Sequence, residues 1–246
     1  MQEKVDFGNS LVSPEKKTKL VREVFDNVAN QYDLMNDLMS FGLHRVWKRI
    51  LLEKTSIRPN SLILDLAGGT GDISLLATKL VGPDGKIVLA DINFKMLDKS
   101  RDRIIDIGSF ENIELCQCNA EYLPFPNNSF NRVIMSFGLR NVTNKHYALS
   151  EIFRVLKKGG RLCILEFSKP KEPLNRLVAK YNSFVLPVIG QFITKNSEAY
   201  RYLAESIERH PDQNTLASMI LKAGFNSSEF VNISNGIVAI HSGYKQ

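Results

Sequence analysis

The chain has 246 residues, of which 43% are hydrophobic and 24% are charged, and its formal net charge at pH 7 is +6. This composition is ordinary for a folded globular protein, so it excludes a disordered or fibrous chain and leaves room for one large α/β domain or two small ones. Lysine and arginine are spread along the chain without a long basic tract. We therefore expect a solvated basic face and no nucleic-acid partner, with an anionic membrane surface as the alternative.

The cysteines and histidines predict no metal centre. The three cysteines lie in apolar, strand-like runs, and their spacing matches neither a zinc site nor a disulfide framework. We expect a reducing, cytoplasmic environment. The first ten residues contain Glu3 and Asp6 and resemble neither a secretory signal nor a transit peptide.

Residues 1–60 are predicted to form a helical N-terminal cap. Ser13 is a favourable N-cap and Pro14 a favourable first residue for a helix. Apolar residues then recur at helical spacing, and more helix is expected through Met39 and again over residues 46–54.

Residues 61–170 alternate strand-like and helix-like patterns and form the predicted cofactor-binding core. This alternation is typical of a parallel, doubly wound sheet whose ligand lies at the carboxyl ends of the strands. The predicted strands are Leu62–Leu66, Lys86–Ala90, Ile113–Cys116, Arg132–Phe137 and Arg161–Phe167. The predicted helices are Asp72–Leu80, Phe94–Ile107 and Lys145–Leu156.

The most informative stretch is Leu64–Asp72, where a glycine-rich turn follows an apolar strand and leads into a helix. Glycine lets a ligand approach the backbone closely. Asp91 ends the next strand about 20 residues later, where a carboxylate can bind the two hydroxyls of a ribose. The pattern predicts a nucleoside-containing cofactor.

Charge indicates which cofactor this is. Asp65 stands before the glycines and Asp72 after them, and their carboxylates are expected to repel a diphosphate and to attract the sulfonium and ammonium groups of S-adenosylmethionine. The spacing Gly-x-Gly-x-x-Gly of dinucleotide sites is absent. We predict S-adenosylmethionine as the cofactor. A nicotinamide cofactor and a turn without a ligand are the alternatives.

A helical insertion is predicted for residues 171–210, and a C-terminal helix and hairpin for residues 211–246. Pro211 is expected to begin the helix that Gly224 ends, and the turn Ser234-Asn235 joins two final strand-like segments. A mostly parallel sheet that ends in an antiparallel hairpin is expected of a Rossmann-like class I S-adenosylmethionine-dependent methyltransferase. We predict this α/β fold in a single domain over residues 1–246.

Several longer stretches closely resemble the UbiE/MenG/Coq5 family, the C-methyltransferases of ubiquinone and menaquinone synthesis. These stretches are Tyr32–Lys48, Ser136–Val142, Arg154–Leu162 and Glu166–Ser168. The resemblance runs from about Val24 to Lys245, and its first stretch is the most specific. Lys158 stands where the family often has proline, a small departure.

The resemblance implies cofactor contacts at the ends of strands. The glycine-rich turn described above adds two glycines and one acid to this set. The predicted cofactor-binding residues are Asp65, Gly69, Thr70, Gly71, Asp91, Asn119, Ala120 and Ser136. Asn119 and Ala120 follow the third predicted strand, where a side chain and a backbone amide can bind the adenine edge. Ser136 is expected beside the methionine portion. Each contact has an alternative without a ligand. Thr70 would then be an ordinary turn residue, Asp91 a solvated acid at a strand end, and the others ordinary polar loop residues.

The resemblance also implies C-methylation of a polyprenyl quinol. A ring carbon becomes a good nucleophile when the neighbouring hydroxyl ionises, and a phenol has a pKa of about 10, so the site needs a base or a cation. Arg140 is the predicted cation. Tyr32, Asn36 and His44 are candidates to orient or deprotonate the ring. The alternatives are a salt bridge that fixes the loop for Arg140 and a structural hydrogen bond for His44.

The apolar segment Phe184–Gly190 is far shorter than the ~20 residues that span a bilayer. It is either core or the lining of a prenyl-tail channel. Peripheral contact with the inner face of a membrane, a quinone-biosynthesis complex and a homodimer stay open. So do two other functions: methylation of another small molecule or RNA, and a non-catalytic assembly subunit.

Overall fold

The computed structural model describes residues 4–29, 32–109, 111–172, 176, 178 and 197–246. The strands in these ranges are β1 Val5–Phe7, β2 Ser10–Val12, β3 Leu62–Leu66, β4 Lys86–Asp91, β5 Ile113–Gln117, β6 Phe130–Ser136, β7 Leu156–Phe167, β8 Ser227–Ile233 and β9 Val238–Tyr244. The α-helices are α1 Pro14–Val28, α2 Tyr32–Ser40, α3 Leu43–Thr55, α4 Asp72–Val81, α5 Phe94–Ile107, α6 Lys145–Val155, α7 Ser197–Arg209 and α8 Gln213–Lys222.

Seven of these strands form one sheet in the order β5-β4-β3-β6-β7-β9-β8. Strands β3 to β7 pair in parallel, whereas β9 runs antiparallel to both β7 and β8. The predicted parallel sheet with an antiparallel hairpin at its end is therefore confirmed. The chain first builds outward from β3 to β5 and then returns to place β6 on the other side of β3. This reversal creates a topological switch point between β3 and β6, where ligands of such sheets bind.

The predicted elements are found, with shifts at their ends. Ser13 caps α1 by accepting a hydrogen bond from the backbone N–H of Lys16, and Pro14 begins the helix, as predicted. The C-terminal helix begins at Gln213 instead of Pro211, because the carboxylate of Asp212 is its N-cap.

A small antiparallel hairpin, β1–β2, precedes α1, so the cap over residues 1–60 is not wholly helical. The hairpin packs on α7. The backbone N–H of Asn9 donates to Glu205 at 3.0 Å, and the ring of Phe7 stacks on that of Tyr202 with centroids 4.5 Å apart. Strands of three residues are too short to produce the alternating pattern from which strands are predicted.

The sheet buries apolar side chains on both faces. Leu64 packs with Leu149 of α6 and Ile220 of α8 on one face. Its neighbour Ile63 packs on the other face, with Leu51 of α3 and side chains of α4 and α5. Successive residues of a strand point to opposite faces, so burial on both faces explains why the predicted strands read as continuous apolar runs.

Within the described ranges, no helix is long and apolar enough to cross a membrane. The segment Phe184–Gly190 lies outside the described residues, as does much of the predicted insertion over residues 171–210. Helix α7 is the principal described part of that insertion. It packs against α1 and α2 around a third apolar cluster that includes Val28, Met35 and Tyr200.

Candidate active site

A cleft of about 800 Å³ opens at the carboxyl ends of β3, β4, β5 and β6, at the switch point of the sheet. Four of the predicted cofactor-binding residues line it, namely Gly69, Asp91, Asn119 and Ala120. They come from the loops after three different strands, so the sheet brings together residues that lie far apart in the sequence.

The glycine turn after β3 forms the floor of this cleft. Gly69 and Gly71 adopt φ angles of +57° and +86°, a region that side chains with a Cβ rarely occupy. A Cβ added at Gly71 would also lie 3.0 Å from Leu89 of β4. The turn is therefore shaped for close approach of the backbone to both the sheet and a ligand.

Asp91 lies buried at the end of β4 and is held by two backbone donors. Its Oδ2 accepts from the N–H of Gly69 at 2.9 Å and its Oδ1 from that of Asn93 at 2.8 Å. Burial raises the pKa of Asp91, and these hydrogen bonds oppose the rise. A carboxylate has about four acceptor positions, so the carboxylate retains acceptor capacity for two further hydroxyl groups.

Asp65 lies beneath the turn and does not line the cleft. Its Oδ2 accepts from the backbone N–H and the hydroxyl of Ser74 at 3.0 and 2.6 Å, whereas its buried Oδ1 has no hydrogen-bond partner within the described ranges. Burial raises the pKa of Asp65 to about 6, against the hydrogen bonds from Ser74. Asp65 therefore supports the turn from below.

The expected negative charge of Asp72 is neutralised within the protein. Its carboxylate lies 2.6 Å from the ammonium of Lys48 and 2.7 Å from the guanidinium of Arg103. Burial alone would raise the pKa of Asp72, but the two cations outweigh it and lower the pKa to about 2. Asp72 therefore has no free charge with which to attract a cationic cofactor, so that prediction is wrong, and Asp72 instead ties α4 to α3 and α5.

The loops after β5 and β6 are joined by Glu121, which the sequence did not single out. Its Oε1 accepts from the backbone N–H groups of Thr143 and Asn144 at 3.1 and 3.0 Å. Asn119 accepts from the N–H of Glu121 at 3.0 Å. Glu121 thus ties together the two loops that border the cleft.

Helix α1 forms the roof of the cleft, through Thr18, Val21, Arg22 and Phe25. The amide of Asn93, beside Asp91, donates to the carboxylate of Asp26 at 2.9 Å. At the other side of the cleft, the hydroxyls of Thr18 and Thr143 lie 3.1 Å apart.

The sequence predicted α1 but not its place over the site. The sequence feature that could have indicated this position is the apolar face of α1, which includes Val21 and Phe25. Such a face is equally consistent with ordinary packing in a hydrophobic core.

Of the predicted catalytic residues, Tyr32 lines the cleft, whereas Asn36, His44 and Arg140 are not among its described lining residues. Nε2 of His44 lies 2.9 Å from Oδ1 of Asp37, and burial lowers the pKa of the imidazole. The backbone carbonyl of Asn36 accepts from the hydroxyl of Ser40. These contacts hold the α2–α3 corner together, in keeping with the structural alternative for His44.

Arg140 lies in a short 3₁₀ turn, Leu139–Asn141, directly after β6. Its Nη1 donates to Glu166 at 2.8 Å and to the carbonyl of Phe137 at 2.6 Å. This arrangement is the loop-fixing salt bridge that was the alternative to a catalytic role. The neighbour Asn141 does line the cleft, and its Oδ1 accepts from the hydroxyl of Tyr202 at 3.1 Å.

Thr70, Gly71 and Ser136 are also placed outside the cleft lining. Thr70 is buried, and its carbonyl accepts from Arg103 at 2.8 Å. The hydroxyl oxygen of Ser136 is buried, and none of the residues that the structure describes is its hydrogen-bond partner. In the described residues, no group of three or more His, Cys, Asp or Glu could hold a metal ion.

Comparisons with known proteins agree on one family. A family model described as the ubiE/COQ5 methyltransferase family matches residues 12–245. A relative from Cronobacter sakazakii, named "Ubiquinone/menaquinone biosynthesis C-methyltransferase UbiE", is 51% identical over 99% of this chain and 98% of its own length. The protein of the same name from Escherichia coli K12 shows the same identity and coverage.

Solved structures share the fold at low sequence identity. A SAM-dependent methyltransferase from Aquifex aeolicus superposes with a TM-score of 0.61 at 16% identity, covering 94% of this chain and 98% of that one. A SAM-dependent methyltransferase from Thermotoga maritima gives 0.62 at 21% identity, covering 92% and 100%. The predicted fold class is therefore confirmed.

Proposed function

The chain belongs to the ubiE/COQ5 methyltransferase family, and on this basis we propose that it transfers a methyl group from S-adenosylmethionine to a ring carbon of a polyprenyl quinol. The acceptors are the precursors of ubiquinone and menaquinone. The observation that carries the proposal is the 51% identity, over 98% of their length, to relatives named for this activity.

The residues of the cleft fit the cofactor. The turn at Gly69 and Gly71 allows close approach of a ligand, and the carboxylate of Asp91 retains acceptors for the ribose hydroxyls. Asn119 and Ala120 lie where the adenine edge is expected. When bound, S-adenosylmethionine supplies an electrophilic methyl group. The protein must therefore align an acceptor carbon and make it more nucleophilic.

The part of the cleft near α1 suits an aromatic acceptor. Phe25, Tyr32, Phe137 and Val142 supply apolar surface there, and the hydroxyl of Tyr32 and the amide of Asn141 supply polar groups. Ionisation of a ring hydroxyl makes the adjacent carbon nucleophilic, and the reduced quinol can ionise in this way whereas the quinone cannot. We infer that these polar groups orient the quinol and stabilise its phenolate by hydrogen bonding.

We assign Arg140 a positioning role in this chemistry. Its bond to Glu166 fixes the 3₁₀ turn that presents Asn141 to the cleft. Direct stabilisation of the phenolate by Arg140, and orientation or deprotonation of the ring by Tyr32, Asn36 or His44, stay predictions.

We further infer that the α2–α3 corner contacts the membrane that holds the prenylated substrate. Four apolar side chains are exposed there: Phe41 at 78%, Val46 at 49%, Leu34 at 45% and Leu43 at 43%. Arg49 is exposed beside them, as is Arg45, whose guanidinium also pairs with Asp37 at 2.6 Å. Apolar groups flanked by cations favour an anionic bilayer surface. Phe41→Ser should reduce flotation with anionic vesicles, whereas Leu221→Ser, on the opposite face of the sheet, should not. Equal flotation of both variants would contradict the assignment.

The activity itself is tested by methyl transfer from labelled S-adenosylmethionine to demethylmenaquinol and to a 2-methoxy-6-polyprenyl-1,4-benzoquinol, each with and without a reductant. We expect label in the reduced acceptors only. Equal labelling of the oxidised quinones would overturn the phenolate mechanism. Labelling of RNA with no labelling of either quinol would favour the alternative acceptor.

A further inference from the structure

A second cavity, of about 720 Å³, lies behind the loop that borders the cofactor cleft. It is enclosed by the β1–β2 hairpin, the first turns of α1 and α6, and the end of α7. Thr143 lines both this cavity and the cleft, so the two spaces share one wall. Nothing in the proposed methyl transfer uses this space.

The lining of the cavity is strongly cationic. Among the described residues, one carboxylate lines it, that of Asp6, against five basic side chains, which are Lys4, Lys17, Arg140, Lys145 and Arg209. The carboxylate of Glu166 neutralises Arg140 from behind, and Asp6 lies 3.9 Å from Arg209. Positive charge still remains in excess, and like charges gathered in a partly buried space repel one another strongly.

Two of these cations are held in conditions that disfavour their charge. Lys17 is buried, and its ammonium donates to the carbonyl of Val142 at 3.2 Å. Burial, followed by the neighbouring charge of Lys145, lowers the pKa of Lys17 to about 8. Burial likewise lowers the pKa of Lys145, and the negative charge of Glu166 opposes this lowering. An anion in the cavity would offset these penalties.

His210 supplies an independent observation. It follows α7, lines the cavity and is only 3% exposed, yet neither Nδ1 nor Nε2 has a hydrogen-bond partner among the described residues. Burial of an imidazole without partners is costly, since at least one nitrogen carries a proton to donate. Nε of Arg140 is a second buried donor for which the described part of the chain supplies no partner.

We propose that this cavity is a binding site for a phosphate group, distinct from the cofactor cleft. Lysine and arginine together with a histidine N–H are donors that phosphate oxygens prefer, and the excess of positive charge matches a dianion. The phosphate-site proposal does not rest on the proposed methyl transfer, although Arg140, which lines the cavity, also holds the turn that borders the cleft. A phosphorylated metabolite and the headgroup of an anionic lipid both present this chemistry.

The test uses the full chain and inorganic phosphate as the probe, with sodium chloride at matched ionic strength as the reference. Calorimetry should show phosphate binding to the wild type that is weakened by about tenfold or more in Lys145→Gln, since a charge-assisted bond is lost. Lys158→Gln, an exposed lysine near the amino end of β7, is the matched control and should bind phosphate as the wild type does. The imidazole ¹⁵N resonances of His210 should shift on binding.

A second variant tests whether weaker phosphate binding by Lys145→Gln reflects the loss of a ligand and not misfolding of that variant. Arg209→Gln changes a half-exposed side chain at the same cavity and should weaken phosphate binding in the same direction. Equal binding by wild type, Lys145→Gln and Arg209→Gln, or no binding by the wild type, would overturn the proposal. Displacement of phosphate by S-adenosylhomocysteine would also overturn it, because the cavity would then belong to the cofactor site.

Vesicles of phosphatidylglycerol distinguish the two sources of the phosphate group. If the headgroup enters the cavity, inorganic phosphate should weaken vesicle binding by the wild type and not by Lys145→Gln. If phosphate binds in solution without changing vesicle binding, the ligand is a free phosphorylated molecule. Either result supports the site.

Discussion

The guanidinium of Arg140 and the carboxylate of Glu166 form a buried ion pair, 2.8 Å apart, with 5% and 1% of their side chains exposed. Glu166 also accepts from the backbone N–H of Arg140. The pair joins the turn after β6 to the end of β7, and this connection sets where Asn141 meets the cleft.

Removing one member of this pair should destabilise the fold strongly. Glu166→Ala leaves the Arg140 charge buried without its partner, and the expected loss is about 3–5 kcal/mol in the free energy of unfolding, measured in urea. Glu229→Ala is the matched control. Its carboxylate is 62% exposed and lies 3.4 Å from Arg161, so its loss should be about 1 kcal/mol or less. Similar losses in both variants would contradict the assigned importance of the buried pair.

The same pair separates positioning from direct catalysis. Arg140→Lys keeps the charge but loses the planar fork, and kcat should fall by about tenfold or more while affinity for S-adenosylhomocysteine hardly changes. If Arg140 acts by holding the turn, Glu166→Gln should lower kcat to a similar extent. An active Glu166→Gln beside an inactive Arg140→Lys would instead indicate that Arg140 contacts the phenolate. Full activity in both variants would make the pair purely structural.

Asp91→Asn should weaken binding of S-adenosylhomocysteine by about 1–3 kcal/mol, because two ribose hydroxyls lose a charged acceptor. Titration calorimetry measures this directly. Asp84→Asn, an exposed acid before β4 at the opposite end of the strand, should leave the affinity unchanged. Unchanged affinity in a folded Asp91→Asn protein would remove Asp91 from the site.

Acid should weaken the contribution of Asp72 to stability. Its pKa is lowered from 3.8 to about 2 in the folded protein, so its stabilising effect is complete above about pH 4 and is lost as the pH falls toward 2. Asp72→Asn should therefore be less stable than wild type by about 2 kcal/mol at pH 7.

Urea unfolding from pH 5 down to pH 3 tests this expectation. The difference in unfolding free energy between wild type and Asp72→Asn should narrow over that interval. A constant difference would mean that the ion pairs with Lys48 and Arg103 do not set the pKa of Asp72.

Local patterns in the sequence predicted the sheet and the glycine turn. The run Leu62–Leu66, the glycines that follow it and Asp91 are signals contained within a few residues, and the structure places Gly69 and Asp91 in direct contact. Cap signals such as Ser13-Pro14 are equally local. Strands, glycine turns and helix caps depend on local backbone geometry and on burial. Both can be predicted from the types and spacing of neighbouring residues.

The polar partners were not predictable in the same way. Lys48 and Asp72 are 24 residues apart, and Asn93 and Asp26 are 67 apart. Each of these side chains is unremarkable in its own helix or loop, and only the packing of α1, α3 and α4 brings it to its partner. For this reason the sequence around Asp72 does not reveal that its charge is paired with Lys48 and Arg103.

The order of the strands has a consequence for synthesis on the ribosome. β9 lies inside the sheet, between β7 and β8, although it follows both in the chain. When β7 emerges, it can pair with β6 on one side only, and its other edge stays open until Val238–Tyr244 has been made. Residues Leu162–Leu165 of that edge are wholly apolar. The edge of β7 therefore stays unpaired while roughly seventy further residues are synthesised. Unpaired apolar strand edges aggregate readily, so we expect a chaperone to bind the nascent chain at this stage.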